Sequence, residues 1–135
     1  MDAVPTDAAL VDALRTRCLA LPEATEKVSH GSPSWFVRRM FVSLADRHHG
    51  DPHLALWAAA PPGVQGELVA AEPDRFFVPP YVGHRGWVGL RLDVEPGGPD
   101  WDEVREVVTD AYRLIAPKRL VAQLDAGASP RSTSA

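Results

Sequence analysis

The chain of 135 residues contains one cysteine, Cys18. A single thiol excludes an intramolecular disulfide and a zinc site built from several cysteines. Long apolar runs are absent, and Met1 to Pro5 has neither the basic residues nor the apolar stretch of a leader peptide. We therefore expect a cytoplasmic protein with no membrane association.

An excess of positive charge is also absent, because 14 basic residues stand against 18 acidic ones and the net charge is -4. Indiscriminate binding to nucleic acid depends on neutralising phosphates, so this balance argues against it. The charge is unevenly distributed, however. The segment from Arg75 to Arg91 carries three arginines and no acid, and the five histidines fall within residues 26–53 or 75–91. The sequence thus predicts an acidic body with a neutral-to-basic centre.

Apolar periodicity and turn residues predict the fold class. Helices are expected from about Asp7 to Ala20, from Pro61 to about Ala71, from Asp100, and from Pro117 to about Leu124. The predicted strands are Val28 to His30, Trp35 to Arg38, Met40 to Leu44, His53 to Ala58, Phe76 to Val82 and Gly86 to Leu92. The pattern indicates an α+β domain: an N-terminal helix, an antiparallel β-sheet with an inserted helix, and C-terminal helices packed on one sheet face.

The long helices have clear apolar stripes. The stripe of the first is Leu10, Val11, Leu14, Cys18 and Leu21, that of the inserted helix is Val64, Leu68 and Val69, and that of the third is Trp101, Val104, Val107, Val108, Ala111, Leu114 and Ile115. Asp100 and Glu103 have the spacing of a capping box. We predict a single domain over residues 1–126 and a disordered C-terminal tail over 127–135, which is rich in Ser, Ala and Gly.

Several phrases carry a family resemblance. They are the aromatic and proline-rich run from Arg75 to Arg91, Asp100-Trp101-Asp102-Glu103-Val104, Leu21-Pro22-Glu23-Ala24, His30-Gly31-Ser32-Pro33, and Ala111 to Arg119 with its Ala116-Pro117-Lys118-Arg119 junction. In these phrases the chain resembles the MmcQ/YjbR-like proteins from about Leu10 to Leu124. The resemblance implies a fold similar to that of the frataxin-like (CyaY-like) proteins, and it implies DNA binding through a double wing.

The leading hypothesis is a non-enzymatic protein that contacts DNA phosphates through two basic hairpin wings. Arg38 and Arg39 lie between two apolar runs, where a hairpin is expected to turn, and Arg85 lies at a glycine-flanked tip. The candidate DNA-binding residues are Arg38, Arg39, Arg47, His84, Arg85 and Arg91. The plain alternatives are a solvated turn for the arginine pair and core packing for the aromatic residues of the second segment.

The second hypothesis is a protein-binding or small-ligand-binding module, favoured by the acidic pI of about 5.7. It would use the uncovered sheet face, with Trp35, Trp57, Tyr81 and Trp87 as candidate residues. An enzyme comes third, because His30 near Ser32 has no third catalytic partner. His48, His49, Asp51 and His53 match no standard metal spacing. We therefore assign no catalytic residue, metal or cofactor, and we expect a monomer.

Overall fold

Six antiparallel strands and four helices make up the described part of the chain, and the predicted α+β class is confirmed. The structure is a computed structural model that describes residues 5–94 and 97–134, with side chains for residues 5–48, 50–94 and 97–127. The helices are α1 (Asp7–Leu19), α2 (Val64–Ala71), α3 (Trp101–Ile115) and α4 (Lys118–Ser134). The strands are β1 (Thr25–Ser29), β2 (Ser32–Val37), β3 (Arg39–Asp46), β4 (Leu54–Ala58), β5 (Phe76–Phe77) and β6 (Val88–Arg91).

The strands form one sheet in the order β1-β2-β3-β4-β6-β5, with α2 inserted between β4 and β5. Two cross-strand rows carry the apolar side chains that pack beneath the helices: Trp35, Val42, Ala58 and Val88 in one, and Leu44, Leu56, Leu90 and Phe76 in the other. All eight are at most 7% exposed. Because side chains alternate between the two faces of a strand, the sheet has one buried apolar face and one second face.

Helices α1 and α3 pack against each other, and α3 also packs on β3 and β4. Both helices begin at a side-chain cap: Thr6 accepts from the Ala9 amide at 3.2 Å, and Asp100, as predicted, accepts from the Asp102 amide at 3.0 Å. The predicted capping box is only half present, since the Glu103 carboxylate binds the guanidinium of Arg75. The acid at the third helical position thus joins α3 to the start of β5.

One position of the predicted α3 stripe is wrong. Leu114 is 48% exposed, whereas the neighbouring Tyr112 is fully buried. The Tyr112 hydroxyl donates to the carbonyl of Pro22 at 2.8 Å, and its ring meets that of Phe41 edge-on with centroids 5.7 Å apart. A tyrosine can enter a core when its hydroxyl finds such a partner, so Tyr112 closes the contact between α3 and the segment after α1.

Several element boundaries differ from the predictions. β1 begins at Thr25, three residues earlier than predicted. The turn after β1 lies at His30 and Gly31, so Ser32 and Pro33 belong to β2. β5 has two residues only, and the predicted stripe of α2 is half-buried. α4 extends to Ser134, beyond the predicted end near Leu124. The single-domain span and the disordered tail stay predictions, and Met1 to Val4, Glu95, Pro96 and Ala135 lie outside the described residues.

A partly buried polar contact fixes the edge strand β1 to the rest of the core. The Glu26 carboxylate accepts from Arg15 Nε at 2.7 Å and from the Trp35 indole Nε1 at 3.0 Å. The hydrogen bond from Arg15 lowers the pKa of Glu26, and burial opposes that effect more weakly. Glu26 thereby joins α1, β1 and β2 through one side chain.

We expect the stabilisation from Glu26 to be complete above the unfolded-state pKa of about 4.3 and to be lost as the pH falls through the lower folded-state pKa. Glu26→Gln should cost about 1–2 kcal/mol of unfolding free energy at neutral pH and much less near pH 3, as measured by urea denaturation. Glu67→Gln, at an exposed carboxylate of α2, is the control and should change little at either pH. An equal loss at both pH values for Glu26→Gln would contradict this assignment.

Candidate nucleic-acid interface

The register of the sheet sets which loops lie at the same end. Val42 pairs with Ala58, and Ala58 pairs with Val88, so the start of β3 lies level with the start of β6. The β2–β3 turn at Arg38 and the loop that precedes β6 therefore project from one end of the sheet. We call this the basic end, defined by Arg38, Arg39 and residues 78–87.

Arg38 forms the tip of the β2–β3 hairpin, as predicted from the sequence. It is the single residue between Val37 and Arg39, which pair across the hairpin, and its backbone is left-handed with φ of 66°. Arg38 and Arg39 are both exposed. Within the described residues, neither guanidinium has a hydrogen-bond or ion-pair partner.

The second predicted wing is a compact loop and not an extended hairpin. Only Phe76 and Phe77 pair with β6, and Gly83–Arg85 form a 3₁₀ turn. The side-chain amide of Gln65 in α2 donates to the carbonyls of Gly83 at 2.8 Å and Trp87 at 2.6 Å. Inserted helix α2 thus holds both ends of the turn that carries His84 and Arg85.

Arg85 is presented from this loop over an aromatic ring. Its guanidinium carbon lies 5.5 Å from the ring centroid of Trp87, which is 4% exposed, while Arg85 itself is exposed. When a guanidinium stacks on an aromatic face, its N–H donors lie in the guanidinium plane and can still bind an anion. His84, beside it, is also exposed.

Two of the six predicted DNA-binding residues lie away from the basic end. Arg47 follows β3, so the eight-residue strand separates it from Arg38 by about 25–30 Å at roughly 3.3 Å per residue. Its guanidinium binds Asp46 and Asp7, at 2.6 and 2.9 Å, and hydrogen bonds to Asp7 and then Asp46 raise its pKa. Arg91 donates to the carbonyls of Pro73 and Asp74 and lies over the ring of Phe77 at 4.9 Å.

The opposite end of the sheet, which we call the acidic end, collects the carboxylates. They are Asp7, Asp46, Asp51, Glu72, Asp74, Asp93, Asp100, Asp102 and Glu103, which lie at the starts of α1 and α3, in the β3–β4 loop, before β5 and after β6. Acids at helix N-termini complement the helix dipole. Glu23, in the turn before β1, lies at the same end of the sheet as Arg38 and is paired with Arg119. Charge is therefore separated along the strands.

The residues of the ligand-binding alternative do not come together. Trp35 is fully buried beneath the helices and Trp87 is 4% exposed, so neither ring can contact a ligand. Trp57 is half-buried and meets the His48 ring at 5.0 Å, while Tyr81 is 64% exposed. The second face is covered here by the β3–β4 loop and the segment after β5. The cavity between them, of about 20 Å³, has room for a single water.

The polar residues of the β3–β4 loop are used within the fold. His53 Nδ1 lies 2.9 Å from the Asp93 carboxylate, and the His53 amide donates to Asp51 at 2.8 Å. Within the described side chains, which do not include His49, no group of three His, Cys, Asp or Glu residues is placed to hold a metal ion. No helix in the described ranges has the length and apolar character needed to cross a bilayer.

Comparison with known proteins relates this geometry to a family. The family model described as YjbR matches residues 19–114, from the end of α1 to the last turn of α3. The chain belongs to the YjbR family. The crystal structure of Deinococcus radiodurans protein DR2400, which carries the family domain DUF419, is similar with a TM-score of 0.63 and 24% identity, over 77% of this chain and 76% of that one. Comparison with curated proteins gives no match.

Both turns of the basic end fall within the region that matches the YjbR family. The sequence correctly places Arg38, His84 and Arg85 on turns, whereas Arg39, also expected at the hairpin turn, is the first residue of β3. It did not indicate the role of Gln65, whose two acceptors are 18 and 22 residues away along the chain. A lone glutamine on a half-buried helix carries no signal of such a contact.

The second face also depends on a glycine of β6, and this generates a prediction. A Cβ at Gly89 would lie 2.3 Å from Phe77 Cζ, so Gly89→Ala should displace this ring and cost about 1–3 kcal/mol of unfolding free energy. Gly66→Ala in α2 is the matched control, because a Cβ there meets nothing within 4 Å. It should stabilise by up to about 1 kcal/mol in urea denaturation. If the two substitutions change the free energy of unfolding similarly, the Phe77 ring does not depend on its close contact with the backbone at Gly89.

Proposed function

We propose that this YjbR-family protein binds DNA through its basic end, with Arg38, Arg39 and Arg85 on the phosphates and His84 beside them. The observation that carries the proposal is selective pairing. Arg15, Arg47, Arg75, Arg105, Arg113 and Arg119 each lie within ion-pair distance of a carboxylate. Arg17 and Arg91 also lack a carboxylate partner, but they donate to backbone carbonyls of the fold. The arginines of the basic end have neither kind of partner among the described residues, so their donors are available for an external anion.

The spacing of the two turns supports the same function. The β2–β3 turn and the loop between β5 and β6 are three strand positions apart, which is about 14 Å at the usual strand separation of about 4.8 Å. A DNA strand that crosses the basic end can therefore place phosphates on both turns at once. Both turns belong to one chain, and the proposed binding unit is a monomer in the cytoplasm.

The net charge of -4 is compatible with this proposal because the charge is separated. The acidic end carries nine of the sixteen described carboxylates and is directed away from DNA when the basic end approaches. The resulting field orients the protein and limits its affinity, since three arginines neutralise only about three phosphates. Arg47 and Arg91, which bind acids and carbonyls of the fold, are not part of the proposed contact.

The backbone at Arg38 supports a role for its side chain. A non-glycine residue in the left-handed region costs about 1 kcal/mol or more, and hairpin turns commonly place Gly or Asn there. Arg38 has φ of 66° and an exposed side chain that contributes nothing to the core. An arginine at this position is best explained by a function of the guanidinium outside the fold.

DNA binding is favoured over small-ligand binding and over catalysis. The cavity on the second face has room for one water, and two of the four aromatic residues proposed to bind a ligand are buried. For catalysis, His30 lies exposed in the β1–β2 turn, and His53 and Asp51 serve loop contacts. Phosphate contacts by arginine side chains need no cofactor.

The first prediction of this proposal concerns salt. DNA binding, measured by fluorescence anisotropy, should show a log-log salt slope between about -2 and -3. Arg85→Ala should reduce the magnitude of the slope by about 0.7–0.9 and cost no more than about 1 kcal/mol of stability, the value of its contact with Trp87. Arg105→Ala removes the same charge from an exposed site of α3 and should leave binding unchanged. Equal effects of the two variants, or no DNA binding at low salt, would contradict the proposal.

A second prediction separates function from stability at the hairpin tip. Arg38→Gly should stabilise the protein by up to about 1 kcal/mol by relieving the left-handed backbone, yet weaken DNA binding several-fold. Arg39→Gly, at the first residue of β3, removes the same charge and should destabilise by about 0.5–1 kcal/mol. A loss of stability in Arg38→Gly would show that the arginine side chain supports the fold. Unchanged DNA affinity would show that Arg38 does not contact DNA.

A further inference from the structure

An exposed aromatic residue lies in the loop that presents Arg85. Tyr81 comes four residues before Arg85 and is 64% exposed, the largest exposed fraction of any Phe, Trp or Tyr among the described residues. Val78, three residues earlier in the same loop, is 55% exposed. An apolar surface in the loop that carries Arg85 is more than phosphate contact alone requires.

The backbone makes this ring costly to keep in place. Tyr81 has φ of 66°, a conformation that bulky residues rarely adopt, and it follows the rigid pair Pro79 and Pro80. The Val82 amide donates to the Pro80 carbonyl at 2.7 Å, so the turn closes tightly around Tyr81. Gly or Asn would form the same turn with less strain.

Tyr81 has contacts within the protein, and one of them is with His48. His48 meets Tyr81 in an edge contact, with centroids 5.9 Å apart and an interplanar angle of 76°. This contact orients the ring, and most of its surface still faces solvent. Rigid prolines on one side and the imidazole edge of His48 on the other hold an aromatic face in the loop that carries Arg85, next to the second face of the sheet.

We propose that Tyr81 stacks against an unpaired base, so that the ligand of the basic end is single-stranded DNA. This inference rests on the proposed function. Bases of a duplex stack on one another and offer no free face, whereas bases of a single strand stack readily on exposed aromatic rings beside a basic groove. A site with three available arginines binds weakly to a duplex through phosphates alone, and stacking adds a contribution that salt does not screen.

The test compares a labelled oligothymidine of about 15 nucleotides with its duplex form by anisotropy at matched salt. We expect the single strand to bind about tenfold more tightly. Tyr81→Ala should weaken single-strand binding by about tenfold and leave the salt slope unchanged, while Tyr81→Phe retains the aromatic face and the affinity. Arg85→Ala should reduce the slope. Leu114→Ala, at an exposed apolar residue on α3, is the control and should change neither quantity.

The outcomes separate the two proposals. Equal or tighter duplex binding, or unchanged single-strand affinity in Tyr81→Ala, overturns the stacking inference, and the proposed function stands if Arg85→Ala still weakens binding. No binding of either form overturns both. Should Tyr81→Ala lose its folded circular dichroism spectrum, Tyr81→Leu keeps the apolar bulk without the ring. Tyr81→Leu is expected to lose the same affinity, and full affinity in a folded Tyr81→Leu overturns the inference.

Discussion

The antiparallel register of β2, β3, β4 and β6 is the constraint on which the rest of the molecule depends. It aligns Trp35, Val42, Ala58 and Val88 across the sheet, and these side chains form part of the apolar face on which the helices pack. The same alignment brings the Arg38 turn level with the Arg85 loop. A slip of one residue in any of these strands would turn apolar side chains to the second face, so core and candidate interface are fixed together.

Local patterns were sufficient to predict the architecture. The stripe of α1, the Asp100 cap of α3 and the alternation of the strands each act over a few residues and carry their signal in the sequence. Predictions failed where long-range contacts decided. Leu114 was placed in the core by its spacing, yet Tyr112 occupies it because a carbonyl 90 residues away satisfies its hydroxyl. β5 is short because the prolines that follow it cannot donate to a strand ladder.

In the candidate site, too, local signals predicted positions correctly and long-range contacts were missed. Turn signals correctly predict the turns that carry Arg38, His84 and Arg85, and Arg39 begins the strand that follows the first turn. Arg47 and Arg91 were grouped with them by charge alone, but an acid 40 residues away pairs with Arg47, and backbone carbonyls before β5 bind Arg91. Net charge gave a misleading indication as well, because a value summed over the chain does not record that acids and unpaired arginines lie at opposite ends.

An NMR titration of the ¹⁵N-labelled protein with an oligonucleotide at low salt would show whether the basic end alone contacts DNA. We expect amide shift changes confined to Arg38, Arg39 and the loop from Tyr81 to Trp87. Residues of the acidic end, such as Arg47, His53 and Asp93, should keep their shifts. Changes concentrated at the acidic end or along α1 and α3, or none at any oligonucleotide concentration, would contradict this expectation.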